Sequence, residues 1–555
     1  MLATFSGKNY KAYDSFRLEL KPLTVLLGAN SCGKSALINS ILMFSQTVDS
    51  MSFSDSALRM NGPKVGMGES LNVIKNKDDS KTLSFSFDFN DNSMIKSSID
   101  NLRRETLESL VMFIRYTIHN IKNNDEFVKS ASESINDTNN FFVNFDEIDE
   151  HHFETLSENI CNALNRFRQH EETITFGRPI PHTLREFIFR CPLKRVRDCL
   201  TNMLPISGNK LSASKINYDF KYDKTSESIK VSRLTLINKN EEIIGDVVLK
   251  KNKISVTSDV IKSSVFRGCH DEFIAVTNPF SLNLFKTNHE RGYYAFFEDS
   301  INPVVTFFMQ IVIRSINLIS NIFESGNVNH VSPLRAFPQR YYLLDKTVNH
   351  SQLNSVDGSE LAEILKKNTS IIDNINMLLA EFNLAVDVVK VNDIIHKIVI
   401  NQDAINLELT DVGFGISQVL PVLVQAYLSP ANSITIIEQP EIHLHPKMQA
   451  WLTDALIKIA VKEKKIFIIE THSDALVRRI RLRIVDDSSE LTEDDVAIYN
   501  LERDGNGTST LLKRVKVNSE GDISWPGEFM DVEIQDTIRI QELKVQKLMN
   551  TKGVH

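Results

Sequence analysis

The sequence has few of the features that mark secreted or disulfide-stabilised proteins. Its 555 residues include five cysteines, which form no Cys-x-x-Cys pair and no spacing typical of a metal site: Cys32, Cys161, Cys191, Cys199 and Cys269. The first residues lack the basic and then apolar pattern of a signal peptide. These absences favour a reduced, cytoplasmic setting.

Long apolar runs are also missing. The segment most similar to such a run, residues 301–323, is interrupted by Gln310, Arg314, Asn317 and Asn321. Because a membrane span needs roughly 20 mainly apolar residues, we expect a buried helix here and no membrane partner.

An excess of positive charge is absent. The chain has 63 Lys and Arg against 71 Asp and Glu, a net charge of −8. This balance gives no overall basic footprint for nucleic acid, although a local basic face stays open. The sequence also shows no internal repeat and no sustained heptad pattern, which argues against a long coiled coil.

The clearest motif present is the segment 28–35 (GANSCGKS), which fits G-x-x-x-x-G-K-[ST]. The apolar residues 23–27 before it predict a buried strand, and residues 36–43 after it predict a helix. Strand, glycine loop and helix form the context of a P-loop, whose N–H groups and helix start bind phosphate. Lys34 is predicted to reach the β- and γ-phosphates, and Ser35 to bind Mg²⁺. The predicted ATP-binding residues of this loop are Gly28, Asn30, Ser31, Gly33, Lys34 and Ser35.

The middle of the chain has a different character. Its 3–4 spacing predicts helices over Asn101–Asn123, Phe153–Gln169 and Thr183–Met203. Alternating patterns then predict antiparallel strands over residues 215–222, 228–238 and 244–257. We therefore expect a compact helical and β insertion between two groups of nucleotide motifs.

The second group begins with residues 411–418 (DVGFGISQ), which precede an apolar helix over Val419–Tyr427. A Gly-x-Ser-Gln turn that opens a helix can hold a phosphate. An ordinary N-capping serine explains the same residues equally well.

Residues 434–438 predict a buried strand that ends in Glu438, which is predicted to hold Mg²⁺ through a water. Gln439-Pro440-Glu441 follows this strand. His443 and His445 come next, at a spacing that metal ligands can have. Because no further ligand set accompanies them, a turn or subunit-contact role is favoured.

Residues 465–473 predict a third buried strand, followed by His472. A lone histidine after a strand is usually structural. A neutral imidazole can nevertheless hydrogen-bond a γ-phosphate or a water. Because His472 follows the other nucleotide motifs in the expected order along the chain, this functional role is favoured.

Together these segments resemble the ABC-type ATPase heads of the SMC, RecF and OLD group. GANSCGKS resembles Walker A, GFGISQ the signature loop, ITIIEQPE Walker B, HLHP the D-loop and THS the H-loop. The blocks SPLRAFPQRYY, DVGFGISQVLPVL, EQPEIHLHP and SWPGEFMD are similar to those of bacterial defence ATPases, of which PtuA of Septu and retron-linked systems is an example.

The resemblance implies a homodimer in which two heads sandwich two ATP molecules, with higher oligomers as an option. It implies that Gly415, Ser417 and Gln418 contact the ATP bound by the other subunit. The implied catalytic residues are Glu438, Gln439, Glu441 and His472, with Ser35 and Glu438 on Mg²⁺. It also implies a separate HNH-type nuclease partner similar to PtuB, with DNA or a retron RNA–DNA hybrid as a further option.

Gln439 departs from the family pattern, because many ABC heads carry a glutamate there as general base. An amide cannot accept the proton of the attacking water. Either Glu441 or another group substitutes, or hydrolysis is slow and the ATP-bound dimer is long-lived; the second hypothesis is favoured.

The chain after His472 is too short for the Toprim nuclease domain of OLD proteins, so we expect no nuclease site of its own. Four arginines lie on a predicted helix of this segment: Arg478, Arg479, Arg481 and Arg483. They could form a DNA or partner patch, or a solvated helix face that pairs with Asp486, Asp487 and Glu490; the solvated face is slightly favoured. Residues 525–531 are expected to serve packing or partner docking.

Three other functions compete with an ATPase that regulates a nuclease in anti-phage defence. The first is a DNA-repair head that binds DNA ends itself, which a long coiled coil or a strong basic groove would support. A transporter subunit would need a Leu-Ser-Gly-Gly-Gln loop and a shorter gap between the Walker motifs. A scaffold with a degenerate ATP site is kept open by Gln439.

The predicted fold class is α/β: an ABC-ATPase head with a mixed central sheet and flanking helices, whose P-loop and Walker B halves are split by the insertion. The predicted domains are 1–91 and 276–480 for the two halves of the head, 92–275 for the insertion and 481–555 for a C-terminal extension.

Overall fold

The computed structural model describes residues 2–50, 56–122, 128–129, 132, 150–250, 253–284, 300–343, 353, 358–402, 405–524 and 537–546. The chain divides into two compact units. The first unit contains residues 1–11 and 46–321, and the second contains residues 12–45 and 322–555.

The strands are, in chain order, β1 Leu2–Tyr10, β2 Tyr13–Glu19, β3 Leu23–Gly28, β4 Leu83–Phe89, β5 Lys215–Asp223, β6 Ser228–Ile237, β7 Ile243–Lys250, β8 Lys253–Thr257, β9 Val328–Val331, β10 Tyr342–Leu343, β11 Leu384–Lys390, β12 Ile395–Gln402, β13 Ile405–Glu408, β14 Ile434–Glu438, β15 Ile466–Glu470, β16 Val496–Arg503 and β17 Thr510–Val515. The helices are α1 Lys34–Val48, α2 Ser93–His119, α3 Glu150–Gln169, α4 His182–Arg190, α5 Leu193–Asn202, α6 Gly208–Leu211, α7 His270–Val276, α8 Pro303–Phe323, α9 Leu361–Lys367, α10 Thr369–Leu379, α11 Phe414–Leu428, α12 Pro446–Lys462 and α13 Asp474–Val485. Residues 537–546 are also helical.

The first unit contains an antiparallel sheet in which β1, β4, β5, β6, β7 and β8 lie side by side. The alternating residues of β4 are buried on one face, as the sequence predicts for a half-buried strand. Aromatic rings fill that face: Phe85 stacks on Phe5 with centroids 5.7 Å apart and meets Phe220 edge-on.

Two segments of this unit are broken where the sequence pattern predicts continuous elements. The helix predicted over Thr183–Met203 is two helices, α4 and α5, because Pro192 between them has no N–H to continue the first. The strand predicted over residues 244–257 is the pair β7 and β8, which fold back on each other with Lys250 opposite Lys253.

Helix α8 is the apolar segment near residue 300. By length and composition it could cross a membrane, but 67% of its most apolar 18-residue window is buried inside the protein. Its Arg314 donates to the Ser98 carbonyl oxygen at 2.6 Å and pairs with Glu105. These contacts fit the predicted buried helix.

The second unit is organised around a sheet with the strand order β17-β16-β3-β15-β14-β9. Every pairing from β16 to β9 is parallel, and β16 and β17 form an antiparallel hairpin. Strands β3 and β15 are buried along their whole length. Such near-continuous apolar strands are typical of a parallel sheet covered on both faces.

A smaller sheet also belongs to the second unit. Strand β12 pairs antiparallel with β11 on one side, and with β10 and β13 on the other. This sheet and helices α9 to α13 contribute to one hydrophobic core with the larger sheet.

The predicted α/β class is confirmed. The P-loop strand β3 and the strand β14 lie in one sheet, separated only by β15, although a helical and antiparallel-β segment divides them in sequence. The four predicted domains stay a prediction, and the contacts group the residues differently. Strand β16, expected in a C-terminal extension, pairs with β3 in the head sheet.

Candidate nucleotide-binding site

The loop between β3 and α1 has the backbone that a phosphate cradle requires. Gly28, Ser31 and Gly33 have φ values of 139°, 63° and 106°, a region that glycine enters without strain. A Cβ at Gly28 would lie 2.4 Å from the Leu501 carbonyl oxygen. Glycine at position 28 is therefore required both by its backbone angle and by the close approach of β16.

Side chains far along the sequence support this loop. The Tyr13 hydroxyl donates to the Gly33 carbonyl oxygen at 2.8 Å, and the Thr510 hydroxyl donates to that of Cys32 at 2.9 Å. Arg503 donates to the Ser31 carbonyl oxygen at 3.0 Å. The P-loop is therefore held by β2 and by the β16–β17 hairpin.

Lys34 lies over its own loop. Its Nζ donates to the carbonyl oxygens of Gly28 at 2.8 Å and Ala29 at 3.0 Å. It also lies 3.6 Å from a carboxylate oxygen of Glu470, and only 4% of the lysine side chain is exposed. The loop residues Asn30 and Ser31 and the helix residue Ser35 are exposed.

Two carboxyl groups meet where β14 and β15 end. Glu438 and Glu470 are register partners. Burial and the Glu438 carboxylate raise the pKa of Glu470 to about 7, although Lys34 acts in the opposite direction. Burial also acts to raise the pKa of Glu438, but His330, whose Nε2 lies 2.6 Å from Glu438 Oε1, lowers it below its ordinary value. The protonation of each carboxyl group therefore depends on that of the other.

The turn after Glu438 is held by a buried arginine. Arg335 Nη2 donates to the carbonyl oxygens of Glu438 at 3.0 Å and Gln439 at 3.2 Å. Burial lowers the Arg335 pKa to about 10, while the charge of Glu441 acts to raise it. Gln439 has a φ of 45°, and its N–H donates to the Glu470 carbonyl oxygen at 2.7 Å. Gln439 thus follows directly on the carboxyl pair.

His472 lies beside these groups. Its backbone N–H donates to Glu441 Oε1 at 2.7 Å. Partial burial and the Lys34 charge lower the His472 pKa, and Glu441 acts to raise it. The imidazole is therefore neutral near pH 7 and can donate or accept one hydrogen bond.

Lys34, Glu438, Gln439, Glu441 and His472 are thus brought to one edge of the sheet, and their chemical roles stay predictions. The residues at the start of α11, which the sequence predicts as the signature loop, differ from one another in their exposure. Gly413 is exposed at the start of α11, whereas Ser417 and Gln418 are each only 3% exposed within the single chain.

The arrangement fits a magnesium nucleotide. Four buried polar atoms have no hydrogen-bond partner among the described residues: Glu441 Oε2, Glu470 Oε2, Arg335 Nε and Arg335 Nη1. Polar capacity is therefore left for a ligand. In the part of the chain that the structure describes, no three His, Cys, Asp or Glu side chains are grouped to bind a metal. Phosphate and water oxygens would have to complete the shell beside Ser35 and Glu438, as Mg²⁺ prefers.

The arginines of α13 are used in internal contacts. Arg479 and Arg483 both bond Asp454, and Arg483 also pairs with Asp486 at 2.6 Å. Arg481 donates to the Gly521 carbonyl oxygen at 2.6 Å. These contacts favour the ion-paired alternative over a DNA patch. Residues 525–531 lie outside the described residues.

Sequence reasoning missed the roles of Glu470, His330 and Arg335, and of the three residues that support the P-loop. Glu470 carries a visible signal, because it ends an apolar strand as Glu438 does. Arg335 lies in the block SPLRAFPQRYY, which the sequence analysis singled out without assigning it a role. His330 and Thr510 carry no such signal, since only the folded sheet brings them to the site.

Comparisons with known proteins agree with this geometry. The family model described as AAA ATPase domain matches residues 1–477. Comparison with curated proteins gives no match.

Among solved structures, the chain is similar to the SMC head domain from Thermotoga maritima, with 8% identity, a TM-score of 0.33, and coverage of 93% of this chain and 99% of the other. An Smc head bound to the C-terminal winged-helix domain of ScpA gives 9% identity and a TM-score of 0.35 over 93% and 98% of the two chains. An Smc head with an extended coiled coil, bound to the C-terminal domain of ScpA derived from Pyrococcus furiosus, gives 10% identity and a TM-score of 0.31 over 97% and 99% of the two chains. These similarities are too low to add an argument. Because the family model covers most of the sequence, the chain belongs to the AAA ATPase domain family.

Proposed function

We propose that this chain is an ABC-type ATPase that binds Mg-ATP, closes on a second copy of itself, hydrolyses ATP slowly, and so controls a separate nuclease in anti-phage defence. The main support is the contact of Lys34 with Glu470, which joins the P-loop to the carboxyl pair at the ends of β14 and β15. The role in defence is supported by the sequence blocks shared with defence ATPases.

In this proposal the N–H groups of the P-loop and Lys34 bind the triphosphate, with Ser35 and Glu438 on Mg²⁺. The metal would neutralise charge that develops on the phosphate oxygens. His330 and Arg335 orient Glu438 and the following turn, since one bonds its carboxylate and the other its carbonyl oxygen. His472, with its lowered pKa, can donate one hydrogen bond to a phosphate or a water.

Slow hydrolysis follows from Gln439. An amide does not take the proton of the attacking water, and general-base catalysis is typically worth 10²–10⁴-fold in rate. Glu441 is the weaker candidate for this base because its Oε1 already accepts the N–H of His472, which leaves only Oε2 for a water. ATP therefore stabilises the closed dimer for longer than it would with a glutamate at position 439.

Dimer closure is proposed to use the start of α11. Its exposed Gly413 and the following N–H groups form the positive end of a 15-residue helix. Because the Ser417 side chain is buried in the single chain, the N–H groups are a better first contact for the other subunit's ATP than the Ser417 hydroxyl.

Single-turnover hydrolysis tests the proposal. Gln439→Glu is expected to raise the rate at least tenfold, because a carboxylate replaces an amide of nearly the same size. Gln402→Glu, the same change at an exposed position at the end of β12, serves as the matched control and is expected to leave the wild-type rate unchanged. A fast wild-type rate that Gln439→Glu does not change would contradict slow hydrolysis.

Assembly and defence require separate tests. Sedimentation velocity should show that ATP shifts wild type, but not Lys34→Ala, from monomer to dimer. Co-expression with an HNH-type nuclease encoded beside the chain should reduce phage plaques, and the Lys34→Ala version should not. Plaque reduction by the nuclease alone would refute control by this chain.

A further inference from the structure

A lysine-rich cavity lies at one end of the sheet in the first unit, separate from the P-loop. Its volume is about 670 Å³. Five of its lining residues are lysines and one is an aspartate: Lys221, Lys224, Lys230, Lys250, Lys253 and Asp223. This local excess of positive charge contrasts with the net charge of −8 of the whole chain.

The topology of the sheet creates this concentration. Strands β5 and β6 form one antiparallel hairpin and β7 and β8 another, and the strand directions place the last residues of β5 and β7 at the same end of the sheet. Within these hairpins Lys221 lies directly opposite Lys230, and Lys250 directly opposite Lys253. Like charges in directly opposed positions are destabilising.

Among the described residues, only part of this repulsion is relieved by ion pairs. Lys230 pairs with Asp223 and lies 4.4 Å from the centre of the Phe280 ring, and Lys224 pairs with Asp79 at 2.8 Å. Lys221, Lys250 and Lys253 are exposed and form no ion pair with any described residue. Three cations thus stay available to an anion from outside.

The floor of the cavity is apolar. Val231, Leu249, Ile254, Ile274 and Pro279 line it, together with the half-buried ring of Tyr222. Ile274 is 39% exposed. A ligand that fits this site has an apolar or planar body and carries negative charge along its edge.

We propose that this cavity binds a nucleotide unit of a single-stranded nucleic acid, with a base against the apolar floor and the neighbouring phosphates on Lys221, Lys250 and Lys253. Bases stack on aromatic and apolar surfaces while a basic rim follows the backbone. The free lysines lie on two hairpins, so they suit successive phosphates better than a single one. In a duplex the bases are stacked inside and cannot reach the floor.

The test measures binding of a fluorescent 12-nucleotide single-stranded DNA to the full chain by anisotropy at several salt concentrations. Lys250→Gln/Lys253→Gln is expected to weaken binding about tenfold. It should also reduce the slope of log K against log salt by about 1.4, since each phosphate contact contributes roughly 0.7 in single strands. Thermal unfolding should show no loss of stability, because a repulsive pair is removed.

Lys239→Gln/Lys262→Gln is the matched control. It removes the same charge from two exposed lysines that do not line the cavity, and it should leave binding unchanged. Lys34→Ala should also bind the oligonucleotide normally, which separates a failure of this proposal from a failure of the ATP site.

Competitors distinguish the sources of the nucleotide unit. Unlabelled single-stranded DNA and RNA should both compete, while thymidine monophosphate should compete only at far higher concentration. The proposal is overturned if duplex DNA or the mononucleotide competes as well as the single strand, if the control pair weakens binding equally, or if wild type does not bind.

Discussion

The two larger sheets described in this protein carry polar groups in different ways. In the second unit, buried parallel strands end in the groups that surround the P-loop: Gly28, Glu438 and Glu470. In the first unit, antiparallel strands alternate between buried and exposed residues, and the unusual charges lie at the hairpin turns. Parallel order gathers residues from distant segments at one edge, whereas antiparallel order gathers neighbouring turns.

The difference affects what a sequence reveals. At the ends of buried strands a carboxylate or histidine stands out against apolar neighbours. Lys221 and Lys250 do not stand out, because lysine is common in turns, and their significance comes from the residues opposite them.

The largest expected effect concerns the second unit alone. Lys34→Ala removes the cation that contacts both the loop carbonyls and Glu470, and we expect ATP affinity to fall by at least 100-fold, or about 3 kcal/mol. Fluorescent ATP titration measures this. Lys462→Ala, which removes an exposed lysine at the end of α12, should bind like wild type. Equal losses in both variants would refute a specific role.

A glycine pair tests local packing in the same unit. Gly28→Ala should destabilise it by about 2–3 kcal/mol, because φ is 139° and the new Cβ would approach the Leu501 carbonyl oxygen. Gly413→Ala should change stability by only a few tenths of a kcal/mol, since nothing lies within 4 Å of the new Cβ. Hydrogen exchange of peptides from β3 and β16 measures the loss.

The same substitution in the first unit sharpens the comparison. Gly245→Ala would place its Cβ 2.6 Å from the Phe308 ring, so faster exchange is expected in β7 and not in β3. Exchange that rises equally in both units would show that they unfold as one.

The raised pKa of Glu470 predicts that the stability of the nucleotide-free protein depends on pH. The pKa of Glu470 is raised to about 7 in the folded state, so the folded state holds a proton that the unfolded chain has lost. Stability should therefore fall as pH rises from about 4.5 to about 7, by roughly 3 kcal/mol, and then level off. Denaturant unfolding of wild type against Glu470→Gln measures this, and an identical pH profile in the variant would contradict it.

The smallest effect concerns support of the P-loop from β17. Thr510→Val leaves the Cys32 carbonyl oxygen without its donor, which costs about 1 kcal/mol and should weaken ATP binding several-fold. Thr369→Val, at the exposed start of α10, is the control. Unchanged ATP affinity in Thr510→Val would show that the loop holds its shape without the hairpin.

Much of the head was predictable from sequence. The apolar runs before Gly28, Glu438 and His472 identified three strands of one sheet, and the glycine spacing identified the loop. The break at Pro192 was predictable in principle from proline chemistry. The pairing of β16 with β3 was not, because a buried strand does not specify its neighbour. His330 and Arg335 likewise reach Glu438 only through the fold.

The support of the P-loop by Arg503 and Thr510 has a consequence for synthesis. Thr510 lies 478 residues after its partner Cys32. At roughly 5–20 residues per second, a ribosome needs on the order of half a minute to a minute and a half to add them. During that time the nascent loop lacks the hydrogen bonds from Arg503 and Thr510, so the ATP site can reach its final shape only after residue 510 has been added.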